Sequence, residues 1–199
     1  MFIYFKNISE KIRDSLNKNI GGPNAKKWLF GIAFAESSFF PIPPDLYLMP
    51  VVAKNRIKWW SYAFITTIAS VLGGLFGYFI GWALFETIGK ALVSLYSLQD
   101  ELVLVGKFFN ENAFLSIFTA AFTPIPYKVF TIAAGLFNLN LFVFIIASIL
   151  GRGLRFFIVA FFMKLFGQKI GELAFKYFNI GSGALAVLIV LFVLYKIFF

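Results

Sequence analysis

The sequence predicts an all-α integral membrane protein built from two inverted repeats. Each repeat is a re-entrant helical hairpin followed by a transmembrane helix, with an N-terminal amphipathic helix before them and a C-terminal transmembrane helix after. Three observations carry that expectation. Of 199 residues, 60% are hydrophobic and 29 are Phe, with a mean hydropathy of +0.85, more apolar surface than so short a chain could bury in water. Two apolar stretches are interrupted by prolines, and each is followed by an uninterrupted one long enough to span a bilayer. Short motifs then recur in the same order in both halves.

Residues 1–27 read as a cytoplasmic amphipathic segment. Phe2, Ile3, Phe5, Ile8, Ile12 and Leu16 alternate with Lys, Glu, Arg and Asp, which suits a helix lying on the membrane surface rather than a cleavable signal. Residues 28–199 read as a single transmembrane domain. Repeat 1 covers 28–85. Its first part, 28–53, is apolar but carries Pro41, Pro43 and Pro44 at the centre, and proline removes a backbone donor and clashes with the preceding turn. A hairpin with its tip at those prolines fits better than one helix, and its irregular backbone has to be covered by protein or water. Residues 57–85 follow as an unbroken crossing helix with Trp59 and Trp60 at its interfacial start. Gly73, Gly77 and Gly81 recur every four residues and give that helix a smooth packing face.

Residues 86–112 form an external amphipathic connection. Repeat 2 covers 113–166: a second broken stretch, 113–137, with Pro124 and Pro126 at its tip, and then a crossing helix over 139–166. A polar loop over 167–179 and an apolar helix over 181–198 complete the C-terminal part, 167–199.

Phe40-Pro41-Ile42-Pro43 matches Thr123-Pro124-Ile125-Pro126, and Ile68-Ala-Ser70-Val-Leu-Gly73 matches Ile146-Ala-Ser148-Ile-Leu-Gly151. A hairpin adds no net crossing and the following helix adds one, so tandem copies of such a unit are inverted. Charge agrees. Lys and Arg crowd the segments on either side of the first hairpin, whereas 86–112 holds Lys90 and Lys107 alone, which places the N-terminus and the 167–179 loop in the cytoplasm.

The same patterns exclude whole classes of chemistry. With no Cys and no His, the chain offers no disulfide, thiol nucleophile, Ser–His relay or His/Cys metal cluster, so neither a metal nor a cofactor is expected and proton transfer falls to carboxylates, Lys or Tyr. The net charge of +9 comes from Lys and Arg flanking apolar segments, which points to anionic lipid headgroups and not to nucleic acid. Five charged residues fall inside apolar segments: Glu36, Asp45, Lys128, Arg152 and Arg155. Each would cost roughly 2.5–3.5 kcal/mol on insertion scales unless paired, hydrated or neutral. Arg152 and Arg155, three apart, share a helix face. They can pair with Glu36 and Asp45 to lock the fold. Alternatively, the surplus of cations receives an anion, a lipid phosphate being the obvious one. Lys128 can also snorkel to an interface.

Glu36-Ser-Ser-Phe-Phe-Pro41-Ile-Pro43-Pro44-Asp45 resembles the first re-entrant motif of the DedA superfamily, also called the VTT or SNARE-associated domain. Phe122-Thr-Pro124-Ile-Pro126-Tyr-Lys128, Ala134-Gly135 and Gly151-Arg152 resemble its second, in the variant of the YqaA-like branch. The resemblance covers about 28–166. It implies that Glu36 and Asp45 take the family's acidic positions. It also implies movement of phospholipids or undecaprenyl phosphate across a bacterial cytoplasmic (inner) membrane, coupled in many members to proton gradients. The family's Arg-Phe-x-Pro-x-x-Arg pattern is not kept: Ala121 stands at the first Arg and Lys128 lies one place beyond the second, so Arg152 or Arg155 would have to compensate. The expected function is thus a scramblase or proton-coupled flippase. Glu36 and Asp45 would be its proton-coupling groups, and Lys128, Arg152 and Arg155 its phosphate contacts. The alternative is a non-transporting protein that supports envelope integrity or assembly. An enzyme is the weakest reading, and the oligomeric state stays open.

Overall fold

A computed structural model of the chain describes residues 24–38, 43–89 and 112–198, with a few positions between 103 and 111. The amphipathic segment 1–20, Pro41 and most of the 86–112 connection lie outside the described residues.

Helix α1, Ala25–Ser38, and helix α2, Asp45–Lys54, flank the first proline break. A short 3-10 turn, Arg56–Lys58, leads into α3, Trp59–Leu84, which runs on through a π-helical turn at Phe85–Gly89. Helices α4, Ala113–Phe122, and α5, Tyr127–Leu136, flank the second break. The helical stretch Leu141–Phe198 is interrupted at Gly167 (φ 69, ψ −170), which separates α6 over 141–166 from α7 over 168–198. The expected polar loop over 167–179 is therefore wrong. Helix resumes directly after Gly167, because Gln168, Lys169, Glu172, Leu173, Ala174 and Lys176 are good helix formers and polarity alone does not break a helix. Gly167 alone supplies the left-handed conformation that ends α6. The Arg56 guanidinium packs where a side chain at 167 would stand.

At 1.5 Å per residue, α3 with 26 residues is about 39 Å long, more than the hydrocarbon thickness of a bilayer. It exposes Phe64, Ile68, Leu72, Phe76, Phe79 and Trp82, while α6 exposes Ile146, Ile149, Leu150, Leu154, Phe161 and Leu165. Two long helices with apolar outer faces suit lipid and not water.

Helices α3 and α6 pack on each other in opposite directions, and the shorter helices pack on them in a crossed pattern. The first helix of each broken segment lies on the long helix of its own half, α1 on α3 and α4 on α6. The second lies on the long helix of the other half, α2 on α6 and α5 on α3. Two apolar cores result, one toward each end of the α3–α6 pair. One gathers Leu29, Tyr47, Val51, Tyr62, Phe156 and Met163. The other gathers Ile117, Tyr127, Ala134, Tyr78, Phe144 and Ala147.

The close approach of α1 and α5 to α3 depends on the absence of side chains. A Cβ at Gly73 would strike the carbonyl of Phe34, one at Gly77 the hydroxyl of Thr131, and one at Gly81 the carbonyl of Ile132. Gly151, which holds in α6 the motif position that Gly73 holds in α3, faces the carbonyl of Phe118 in α4 at 2.9 Å from an added Cβ.

Candidate functional site

Both proline breaks open onto a single cavity of about 420 Å³ between the two cores. Pro43, Pro44, Thr123, Pro124 and Pro126 line it, together with Glu36, Asp45, Lys128, Arg152 and Arg155. All five charged residues expected at depth thus meet in one place, delivered by four helices.

Glu36 comes from the last turn of α1 and Asp45 from the first turn of α2, where a carboxylate complements the positive end of the helix. Arg152 and Arg155 project from one face of α6. Arg152 donates from Nη2 to Glu36 Oε2 at 3.1 Å, with Oε1 at 3.5 Å. Arg155 donates from Nη2 and Nε to Asp45 Oδ2 at 2.6 and 3.2 Å. From Nη1 it donates to the Phe122 carbonyl at the C-terminal end of α4, at 3.2 Å. Arg155 therefore joins the negative end of α4 to the acidic start of α2, so the two breaks are tied to each other through α6. Asp45, Arg152 and Arg155 are 3–5% exposed, which makes both ion pairs internal and little screened.

The pairing answers one question that the charges left open. The surplus of cations does not fall on the arginines, because each finds a carboxylate. It falls on Lys128, half-buried in the first turn of α5, which makes no ion pair among the described residues. Two buried atoms in the cavity wall, Arg152 Nε and Asp45 Oδ1, have no hydrogen-bond partner among the described residues. Hydrogen-bonding capacity is thus held in reserve beside both pairs.

Several contributors were not found by reading the sequence. Tyr127, fully buried, lays its ring 4.1 Å from the Arg152 guanidinium carbon and donates its hydroxyl to Ser148 Oγ at 2.6 Å. Ser37 donates to Glu36 Oε2 at 3.1 Å and lies 2.7 Å from Ser70 Oγ. Ser70 and Ser148 did have a signal, since they occupy the same place in the repeated Ile-Ala-Ser motif. Nothing in the order of residues announced Tyr127 as the partner of an arginine.

A model of the VTT domain matches residues 41–165. An uncharacterized protein of Haemophilus influenzae is 35% identical over 82% of this chain and 85% of its own length. One of Histophilus somni is 31% identical over 71% and 74%. One of Methanocaldococcus jannaschii is 25% identical over 64% and 76%. No solved structure matches the chain. With paired proline breaks, a shared polar cavity and a domain match that spans both, the chain belongs to the VTT-domain family, the DedA family of integral membrane proteins.

Proposed function

We propose that this protein translocates a lipid carrying an anionic phosphate headgroup, a phospholipid or a polyprenyl phosphate, by sheltering the headgroup in the central cavity while the apolar chains stay in the bilayer. The observation that carries the reading is the convergence of both broken segments and all five intramembrane charges on one cavity, three cations against two carboxylates. A phosphate entering beside Lys128 first meets an ammonium that makes no ion pair among the described residues. It can then draw Arg152 from Glu36 or Arg155 from Asp45, since guanidinium binds phosphate and carboxylate with the same two-pronged geometry. Proton uptake by the carboxylate left behind removes the cost of stranding it, which couples headgroup binding to protons. In this reading the breaks are tips of re-entrant hairpins that enter from opposite faces. The two halves are inverted repeats, and the N-terminus is cytoplasmic, in the inner membrane of a bacterium.

A second reading has one observation in its favour: both arginines are already paired. A non-transporting protein that supports the envelope would use those pairs only to lock its halves together. Purified protein in liposomes separates the two. We expect flipping of labelled phospholipid or of undecaprenyl phosphate, slowed at least tenfold by Lys128→Gln and retained in part by Lys128→Arg. Glu36→Gln and Asp45→Asn should remove its pH dependence, because an amide keeps the shape but takes up no proton. Liposomes in which no headgroup of such a panel crosses faster than in protein-free controls would decide for the second reading.

A further inference from the structure

The repeated motif puts a serine at the same position of α3 and α6, and both, Ser70 and Ser148, are fully buried. Each uses its hydroxyl on a partner in one of the broken segments, and the two resulting chains end on the opposite members of one ion pair. On the acidic side, Ser70 Oγ lies 2.7 Å from Ser37 Oγ, and Ser37 Oγ lies 3.1 Å from Glu36 Oε2. An ionised carboxylate has no hydrogen to give, so Ser37 donates to it. Ser37 has a single hydroxyl hydrogen, so Ser70 must be the donor to Ser37. The chain therefore has a direction, from Ser70 through Ser37 to Glu36, for as long as Glu36 is charged.

On the basic side, Ser148 Oγ accepts from the Tyr127 hydroxyl at 2.6 Å, and the Tyr127 ring carries the Arg152 guanidinium on its face. Tyr127 has space because of Gly74, the residue of α3 that corresponds in the motif register to Arg152 of α6. A Cβ at 74 would stand 2.9 Å from the Tyr127 hydroxyl. The duplicated helix thus supplies the arginine in one copy and the room for the arginine's aromatic support in the other.

We propose that Ser70 and Ser148 are positioning residues for the two opposite members of the Glu36–Arg152 pair, Ser70 acting through Ser37 and Ser148 through Tyr127. The anchors hold the Glu36 carboxylate against Arg152 and hold Arg152 flat, so that Arg152 can pass from carboxylate to phosphate without leaving its place. That consequence rests on the translocation reading, whereas the anchoring itself does not. The other charged groups around Glu36 are Arg152 from α6 and, lining the same cavity, Lys128, Asp45 and Arg155.

The test uses the full chain in liposomes and dicyclohexylcarbodiimide, a bilayer-permeant reagent that adds to protonated carboxyls, with labelling at Glu36 and Asp45 counted separately by mass spectrometry. Ser37→Ala loses the hydrogen bond to the Glu36 carboxylate and should raise labelling of Glu36 relative to Asp45 roughly tenfold; Ser70→Ala loses the bond that orients Ser37 and should raise it in the same direction, by less. Ser148→Ala and Tyr127→Phe break one and the same bond. They should raise Glu36 labelling equally, and no further when combined. Unchanged Glu36 labelling in the Ser70 and Ser148 variants overturns the proposal, as does an equal rise at Glu36 and Asp45, which would signify general loosening. Lipid flipping in the same liposomes keeps the two ideas apart. If the wild-type chain moves no lipid but the labelling pattern holds, the transport reading fails and the anchors stand. If it moves lipid and the labelling does not respond, the anchors fail alone.

Discussion

Glu36 and Arg152 are 116 positions apart in the chain and 3.1 Å apart in space, and neither could remain charged in hydrocarbon alone. Once the pair is formed, removing one member is costly, because the other is left charged in a largely buried site. Glu36→Gln should destabilise the protein by ~3–5 kcal/mol, and adding Arg152→Gln should recover most of that loss. Denaturation of the purified protein in mixed micelles measures both steps. Transport gives the discriminating result: if Arg152 also serves the headgroup, the double variant regains stability but not flipping. A double variant that regains both would reduce the pair to a structural lock. Lys at 152 should replace Arg poorly, since a point ammonium gives up the stacking of the planar guanidinium on Tyr127.

At the scale of elements, α3 acts as the surface on which helices from both halves meet. Its glycines set the depth of that contact, toward Phe34 of α1 at Gly73 and toward Thr131 and Ile132 of α5 at Gly77 and Gly81. Lipid offers no hydrophobic drive for helix pairing, so close packing of this kind carries much of the association. Gly81→Ala would push a methyl group into the Ile132 carbonyl and should cost ~1–3 kcal/mol, because backbone cannot step aside as a flexible side chain can. Gly31→Ala in α1 is the matched control, since a Cβ there has no neighbour within 4 Å. It should be neutral or slightly stabilising in the same denaturation experiment. A loss at 31 as large as that at 81 would mean that the loss at 81 does not come from this contact, since Ala is the better helix former of the two.

At the scale of the whole molecule, the short helices among the described residues pack crosswise on α3 and α6, with a core toward each end and the charged cavity between. If the two halves of the chain are inverted in the bilayer, the turn at Asn55 and the stretch near Lys107 face opposite sides, since α3 separates them. The chain has no cysteine, so Asn55→Cys and Lys107→Cys each give a single probe. A membrane-impermeant thiol reagent on intact cells should reach the second and not the first. Labelling of both from outside would remove the inverted arrangement and, with it, hairpins that dip in from opposite faces.

Composition, proline spacing and the recurring motifs were enough, without coordinates, to give an all-helical membrane protein and to name the five charges that line its cavity, while the family came from the resemblance of the two proline motifs. Each of those signals is local or periodic. Hydropathy states where the chain can sit, proline states where a helix must stop, and a charge in an apolar run states that a partner exists. The helical course of 168–179 was misread for the same reason, because polarity was taken for a loop where only Gly167 carries the break. Which partner each charge takes is not local. Glu36 to Arg152, Asp45 to Arg155 with the end of α4, and Tyr127 beneath Arg152 depend on how α3 and α6 cross and on how closely glycine lets their neighbours approach. Coulomb attraction is nearly indifferent to sequence separation, so composition could set the number of cations and carboxylates but not their pairing. Tertiary packing made that choice, and it left Lys128 without an ion pair among the described residues.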